Sequence, residues 1–316
     1  MNLKKPKFWD YKKPNFISNL LFPLSKLVEI RSNFIKTKNV KVENIKTICV
    51  GNIYLGGTGK TSIAIELKKM LDKQNIKSCF IKKDYSEQID EQKLLEKFGK
   101  VFINKSRLKA LKEANSENFE IAIFDDGLQD KDILYDLSFV CFNKKNFIGN
   151  GRLIPAGPLR ESLGNIKIYK NIFLNGNDED VESLEEILNK KYQNLNFYES
   201  RYKPLNLNRY NLDEQYIVFS GIGNHPTFID MLKKNKFNII QNFEFPDHYN
   251  YSKKDISKII KIASKNSAKI LTTQKDYLRL DKELQLEIDY IKVDLKITQI
   301  KELKDKIISL INNENN

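Results

Sequence analysis

Between Val50 and Leu67 the chain reads VGNIYLGGTGKTSIAIEL, an apolar segment that runs into a glycine-rich turn and then a helical pattern. Gly56, Gly57 and Gly59 let the backbone turn tightly and approach a polyphosphate. Thr58 sits between them, and Lys60, Thr61 and Ser62 open the helix. Amide groups at that helix start, with the Lys60 ammonium, would cradle the β and γ phosphates of a nucleotide, and the Thr61 hydroxyl would bind Mg2+. The match is GGTGKT, because Tyr54 stands where the usual pattern has its first glycine.

A phosphate loop needs an acid on its metal side. The run IAIFDD ends an apolar strand on two carboxylates, which would emerge at the C-terminal edge of the sheet beside the phosphates. Asp125 is the expected metal partner, with Asp126 positioning a second ligand. An ordinary strand-end turn also uses Asp-Gly pairs, and Gly127 follows. Guanine-reading proteins place Asn-Lys-x-Asp after a strand; here FNKKN puts Asn146 in the place of the aspartate, so ATP is the expected nucleotide. The stretch GNGRLIPAGPLRE, Gly149 to Glu161, is a shaped loop in which Arg152 and Arg160 can each grip an anion through two parallel hydrogen bonds. The chain has two histidines. His248 has Asp247, Tyr249 and Tyr251 around it to fix a tautomer, whereas His225, beside Pro226, has no such support.

The elements that hold these residues alternate. IKTICVGN, KSCFIKK, EIAIFDD, LSFVCFN and IKIYKNIFLN read as strands, and KTSIAIELKKMLDKQ and RLKALKEANSEN as helices. Such alternation implies an α/β fold with a mostly parallel sheet flanked by helices. A second cycle runs from EQYIVFSGIGN through PTFIDMLKKNKF, IIQNFEF and KDISKIIKIASKN to AKILTTQKD. A polar, asparagine-rich stretch separates the two, so residues 1–194 and 195–316 are expected to form separate domains, with the C-terminal helix free to pack back on the first. The length of 316 residues, 41% of them hydrophobic, is enough for two modest cores.

Composition narrows the classes further. Cys49, Cys79 and Cys141 each lie in or beside an apolar run without CxxC spacing, which argues against a zinc site or a disulfide framework and fits a reducing compartment. The formal charge of +13 is read mainly as lysine-rich solvated faces. No aromatic-basic module of the RNP kind appears, so nucleic acid is not an expected partner. Residues Pro14 to Ser25 are too short to span a bilayer, which takes roughly 20 apolar residues. Trp9, Tyr11, Phe16, Leu20, Leu21, Leu24, Leu27, Val28 and Phe34 fall among Lys4, Lys5, Lys7, Lys12, Lys13, Lys26 and Arg31. That mix suits a segment lying on anionic lipid, or a first helix packed on the core with a basic tail.

GGTGKTS, FDDGLQD, GNGRLIPAGPLRE, FSGIGNHPTF, FPDHYNYS and LTTQKD, in that order, resemble the tetraacyldisaccharide 4'-kinases of lipid A biosynthesis, from about Ser25 to Leu280. The resemblance implies two α/β/α domains joined by a two-stranded linker, the smaller contributing to an active-site cleft. It implies transfer of phosphate from ATP, with Mg2+, to the 4'-hydroxyl of an acylated glucosamine disaccharide 1-phosphate lipid. It also implies a peripheral protein on the cytoplasmic face of the inner membrane, an anionic surface, with no obligate protein partner. Residue by residue it places the loop lysine and threonine on Lys60 and Thr61, and the paired acids on Asp125 and Asp126. The arginine and glutamate after the proline-leucine fall on Arg160 and Glu161, with Glu161 joining Thr61, Asp125 and Asp126 at the metal. A further arginine falls on Arg107. A catalytic aspartate falls on Asp90, in the first domain, and its partner histidine on His248, in the second.

The sequence departs from the family pattern in three places. KKDYS, Lys82 to Ser86, replaces Ser-Arg-Gly-Tyr-Gly, and the loop from there to Asp90 is shortened. Asp130 replaces a histidine, and Gln274 stands where glutamate is common. A partitioning- or chaperone-type ATPase is the alternative class; the absent lysine at Leu55 and the arginine-proline loop argue against it.

Overall fold

The computed structural model describes residues 5–34, 38–85, 88–176, 181–247 and 249–312. They form two compact units, one of residues 5–85, 95–200 and those from 297 on, the other of 88–94 and 201–296.

The larger unit is built on strands β1 (Lys46–Gly51), β2 (Ser78–Lys83), β3 (Val101–Asn104), β4 (Ile121–Asp125), β5 (Leu137–Asn143), β6 (Asn171–Asn175) and β7 (Asn196–Pro204). A later strand, β12 (Val293–Ile297), joins them in the order β12-β7-β6-β5-β1-β4-β2-β3. From β7 across to β3 every pairing is parallel. The central strands are buried on both faces, which explains why they read as near-continuous apolar runs rather than alternating ones. One face packs through Cys49, Cys79, Ile81, Phe124, Val140 and Phe142 against helices α4 (Arg107–Ser116) and α6 (Val181–Asn189). Helix α2 (Lys60–Asp72) lies against β1, β2 and β4, burying Ile63, Ala64, Leu67 and Leu71. The three cysteines are free and buried.

The smaller unit has a four-stranded parallel sheet, ordered β11 (Asp289–Ile291), β10 (Lys269–Thr273), β8 (Gln215–Ser220), β9 (Asn238–Glu244). Period-two alternation sorts its residues. Tyr216 and Val218 pack with α7 (His225–Lys234), and Ile217 and Phe219 with α8 (Lys253–Lys265). A short helix, α9 (Gln274–Tyr277), follows β10. The chain passes between the units inside β7 and β12, which are neighbours in one sheet.

Sequence and structure differ in three ways. The segment IKIYKNIFLN is not one strand: α5 (Ile166–Tyr169) ends at Lys170, whose φ of 62° breaks the chain direction before β6. The polar stretch between the cycles contains α6 and β7. The division falls at 200/201 rather than 194/195, and residues 88–94 belong to the smaller unit; residues from 297 on, with α10 (Ile300–Asn312), lie in the larger one, the placement the sequence left open for the C-terminal helix. Asp90 therefore sits in the smaller unit, at the start of α3 (Ile89–Glu96), where ion pairs to α9 and its continuation hold it.

Candidate active site

The glycine-rich loop leaves β1 and closes on α2 at Gly59, the N-cap residue, with φ 82° and ψ 14°. A side chain is strained in that left-handed region, so glycine is the residue that lets the loop meet the helix here. Its shape is held from beneath by asparagines. Asn52 Nδ2 donates to the carbonyls of Tyr54 at 2.5 Å and Gly56 at 3.2 Å, and Asn175 Nδ2, at the end of β6, donates to the Thr58 carbonyl. Tyr54, which stands in place of the usual glycine, is buried; Lys5 donates to its hydroxyl at 2.8 Å and it donates in turn to Asp10.

The arginine-proline loop is fastened to this turn by main-chain bonds. Leu55 N donates to the Pro158 carbonyl at 2.8 Å and Arg160 N to the Ile53 carbonyl at 2.7 Å, with an antiparallel bridge between Tyr54 and Leu159. That pairing sets Arg160, whose Nη1 reaches Asn52 Oδ1 at 2.9 Å and Asp126 Oδ1 at 2.8 Å. The other oxygen of Asp126 lies 3.9 Å from Lys60 Nζ. Burial works to raise the Asp126 carboxyl, but Lys60 and Arg160, with Lys82 behind them, outweigh it and hold the group below the usual carboxylate range. Asp126 has φ 63°, and Arg107 pins that turn by donating Nη2 to its carbonyl, while Nη1 lies 3.3 Å from Asp130 Oδ2. Asp130 is thus the counter-ion of Arg107.

Asp125 is buried. Its Oδ2 accepts from Thr61 Oγ1 at 3.1 Å and from Lys82 Nζ at 2.7 Å. Its Oδ1 is buried and without a hydrogen-bond partner among the described residues. An orphan carboxylate oxygen beside a threonine hydroxyl is a hard-oxygen donor set of the kind Mg2+ takes, so Thr61 and Asp125 fit the metal. Glu161 is placed differently. Gln129 donates to its Oε1 at 2.8 Å, and Asn165 and Tyr169 donate to Oε2 at 2.6 and 2.9 Å. Arg152 turns its side chain to helix α1 (Phe16–Phe34): its Nη1 donates to the Ser18 carbonyl at 2.9 Å and its guanidinium lies over the Phe22 ring.

The smaller unit holds a second charged cluster. Asp90 Oδ2 lies 2.7 Å from Arg279 Nη2 and 3.8 Å from Lys275 Nζ, and Glu91 lies 2.6 Å from Lys275. Arg279 Nη1 also donates to Asp276 Oδ1 at 2.9 Å and to the Gly221 carbonyl at 2.9 Å. Burial pulls the Lys275 ammonium down, but Glu91 and Asp90, with Asp247, carry it above the ordinary lysine value. His248 lies outside the described residues. His225 is a buried packing group, its two ring nitrogens engaged by Ser220 and Asn242 at 2.6 and 3.0 Å.

Sequence reading passed over Asn52, Gln129, Asn175 and Lys82. Asn52 and Asn175 are polar residues closing apolar strands, a signal legible in VGN and IFLN, whereas the role of Lys82 depends on the register of β2 against β4.

A glycine turn with a lysine at a helix start, backed by strand-end acids and crossed by an arginine, is the machinery of a phosphate-loop kinase. A family model described as tetraacyldisaccharide-1-P 4'-kinase (LpxK) matches residues 17–312, and the chain belongs to that family. It is 54% identical over 316 residues to the tetraacyldisaccharide 4'-kinase of Pelagibacter ubique (strain HTCC1062), covering 100% of both chains. It is 33% identical over 333 residues to the protein of the same name from Rickettsia canadensis (strain McKiel), covering 97% of each. Among solved structures, LpxK from Aquifex aeolicus in complex with ATP matches with a TM-score of 0.70 over 94% of this chain and 100% of that one, at 24% identity, a likeness of fold.

Proposed function

We propose that the protein transfers the γ-phosphate of ATP to the 4'-hydroxyl of a tetraacylated glucosamine disaccharide 1-phosphate, forming lipid IVA in lipid A biosynthesis. The observation that carries this reading is the backbone pairing of the arginine-proline loop onto the phosphate loop, which brings Lys60 and Arg160 to one carboxylate, Asp126. Lys60, Arg160 and the α2 amides bind the phosphates and take up charge as the phosphoryl group moves. Asp126 holds the two cations in place. Thr61 and Asp125 would hold Mg2+, which neutralises phosphate charge when bound. Glu161, through Gln129, braces Asn52 and the loop. Asp90 accepts the proton of the sugar hydroxyl, oriented by Arg279 and partnered by His248.

The lipid substrate reaches the protein at a membrane surface, as a peripheral association. No helix among the described residues is long and apolar enough to cross a bilayer. Helix α1 turns its polar side inward. Ser18 and Ser25 are buried, while Phe16 is 80%, Leu20 69% and Leu27 63% exposed. An apolar helix face bordered by lysines suits the headgroup region of anionic lipid. Replacing Leu20 and Leu27 by aspartate is expected to abolish sedimentation with anionic vesicles while ATP binding persists; unchanged sedimentation rejects this surface.

The activity itself is tested with γ-labelled ATP and the lipid disaccharide 1-phosphate, separated by thin-layer chromatography. Label is expected on the lipid. Release of inorganic phosphate at a rate indifferent to lipid, with no labelled lipid, favours the ATPase alternative.

A further inference from the structure

Strand β2 carries a lysine among apolar neighbours. Lys82 is 1% exposed and lies where the sheet is covered on both faces, so its stem cannot carry the charge to water. The register explains what it meets instead. β2 pairs with β4 so that Ile81 faces Phe124. One step further, Lys82 comes level with Asp125 and places Nζ 2.7 Å from Oδ2. Thr61 Oγ1 donates to that same oxygen at 3.1 Å, while Oδ1 stays buried and without a hydrogen-bond partner among the described residues.

We propose that Lys82 is a positioning residue of the phosphate site: a tethered cation that occupies Oδ2 of Asp125, leaves Oδ1 as the oxygen open to the metal, and keeps the site weak for divalent cations until nucleotide arrives. The inference rests on the phosphate-loop reading above. An ammonium against a carboxylate already compensates most of its charge, and the low dielectric of the site makes that compensation strong. Mg2+ gives up water reluctantly and is held by one or two carboxylates together with substrate phosphates. With Asp125 shared, the phosphates of ATP must supply the missing negative charge, so the metal enters as the nucleotide complex. A counter-ion that served stability alone would leave the metal affinity unmoved.

The test is Mn2+ binding to the full chain without nucleotide, read by electron paramagnetic resonance. Wild type is expected to bind only in the millimolar range, Lys82→Met at least about tenfold more tightly, and Lys82→Arg, which keeps the charge, like wild type. In an Asp125→Asn background Lys82→Met should change nothing, because the lysine acts through that acid. Micromolar Mn2+ binding by nucleotide-free wild type overturns the proposal even if no variant folds, and so does unchanged affinity in folded Lys82→Met. Binding of a fluorescent ATP analogue in EDTA separates two failures. A wild type that takes no nucleotide sinks the phosphate-loop reading; one that takes nucleotide while its Mn2+ affinity ignores Lys82 sinks this inference alone.

Discussion

The two units each bury a charged cluster, and the clusters are balanced in opposite directions. Around the glycine turn, Lys60, Lys82, Arg107 and Arg160 touch Asp125, Asp126 and Asp130, so cations are in excess. In the smaller unit Asp90, Glu91 and Asp276 face Lys275 and Arg279, so carboxylates outnumber cations among these ion pairs of the described residues. A surplus of positive charge suits a site that takes a polyphosphate. A surplus of carboxylate suits one that takes a proton. The same elementary interaction, an arginine against a carboxylate, therefore serves opposite ends according to the charge gathered around it.

Removing Lys60 should strike the first cluster hardest. Lys60→Ala is expected to lower kcat about a thousandfold with the protein folded, because its ion pair with Asp126 is long at 3.9 Å and its charge is needed by the moving phosphoryl group. Near-normal turnover in the folded variant would remove the phosphate-loop assignment. On the other side, Asp90→Ala and His248→Ala are each expected to cut kcat by about a hundredfold or more while ATP affinity holds. The double variant should be little worse than the poorer single, as for residues that act together. Losses that multiply would show independent roles, and a harmless Asp90→Ala beside a damaging Glu91→Ala would move the base by one residue.

Stability separates the clusters next. Arg279→Met takes the guanidinium from two buried acids, Asp90 and Asp276, and is expected to cost about 3 kcal/mol in denaturant unfolding. A cost below about 1 kcal/mol would mean that the acids find other partners. The smallest effect is in pH. Asp126 is held below its ordinary value, so its contribution is in force above the unfolded carboxylate range near 3.8 and drains away as pH falls through the folded value. Asp276 is pushed up by burial, which outweighs Arg279, Thr273 and Tyr251, so its share is fullest below 3.8 and is lost as pH rises through the folded value. Thermal melts across acid pH should therefore converge with wild type for Asp126→Asn as pH drops. For Asp276→Asn the gap should widen in wild type's favour over the same descent. Parallel melting curves for both variants would contradict the opposed balance.

Much of this was legible in the chain. GGTGKT, IAIFDD and the arginine-proline stretch announced themselves because close backbone approach demands glycine and a buried parallel strand demands unbroken apolar residues. What stayed hidden depended on register. Lys82 acquires a meaning only once β2 is laid against β4, and Asn175 only once β6 is known to end beneath the turn. Strand β7 was passed over because its sequence, NFYESRYKP, mixes charges into its alternation, and the helix-strand break at Lys170 because a lysine with positive φ leaves no sequence mark. Asp90 falls in the other unit for a related reason: the side chains that hold it, Lys275 and Arg279, come from far along the chain, Arg279 from 189 residues away.

The seam between the N-terminal segment and the arginine-proline loop sets a practical limit on handling the protein. Ser18 and Ser25 donate to the carbonyls of Ala156 and Leu153 at 2.7 and 2.8 Å, and Trp9 donates its indole N–H to that of Pro155 at 3.0 Å. Asn150 N reaches the Trp9 carbonyl, and at Gly149, φ 56°, a Cβ would come within 2.2 Å of that same oxygen. Trimming the greasy leading helix, the habitual route to a tractable preparation, would unzip the underside of the loop that carries Arg160. Repainting the outward leucines with polar residues would leave that seam closed, so recoding the helix face preserves what truncation would destroy.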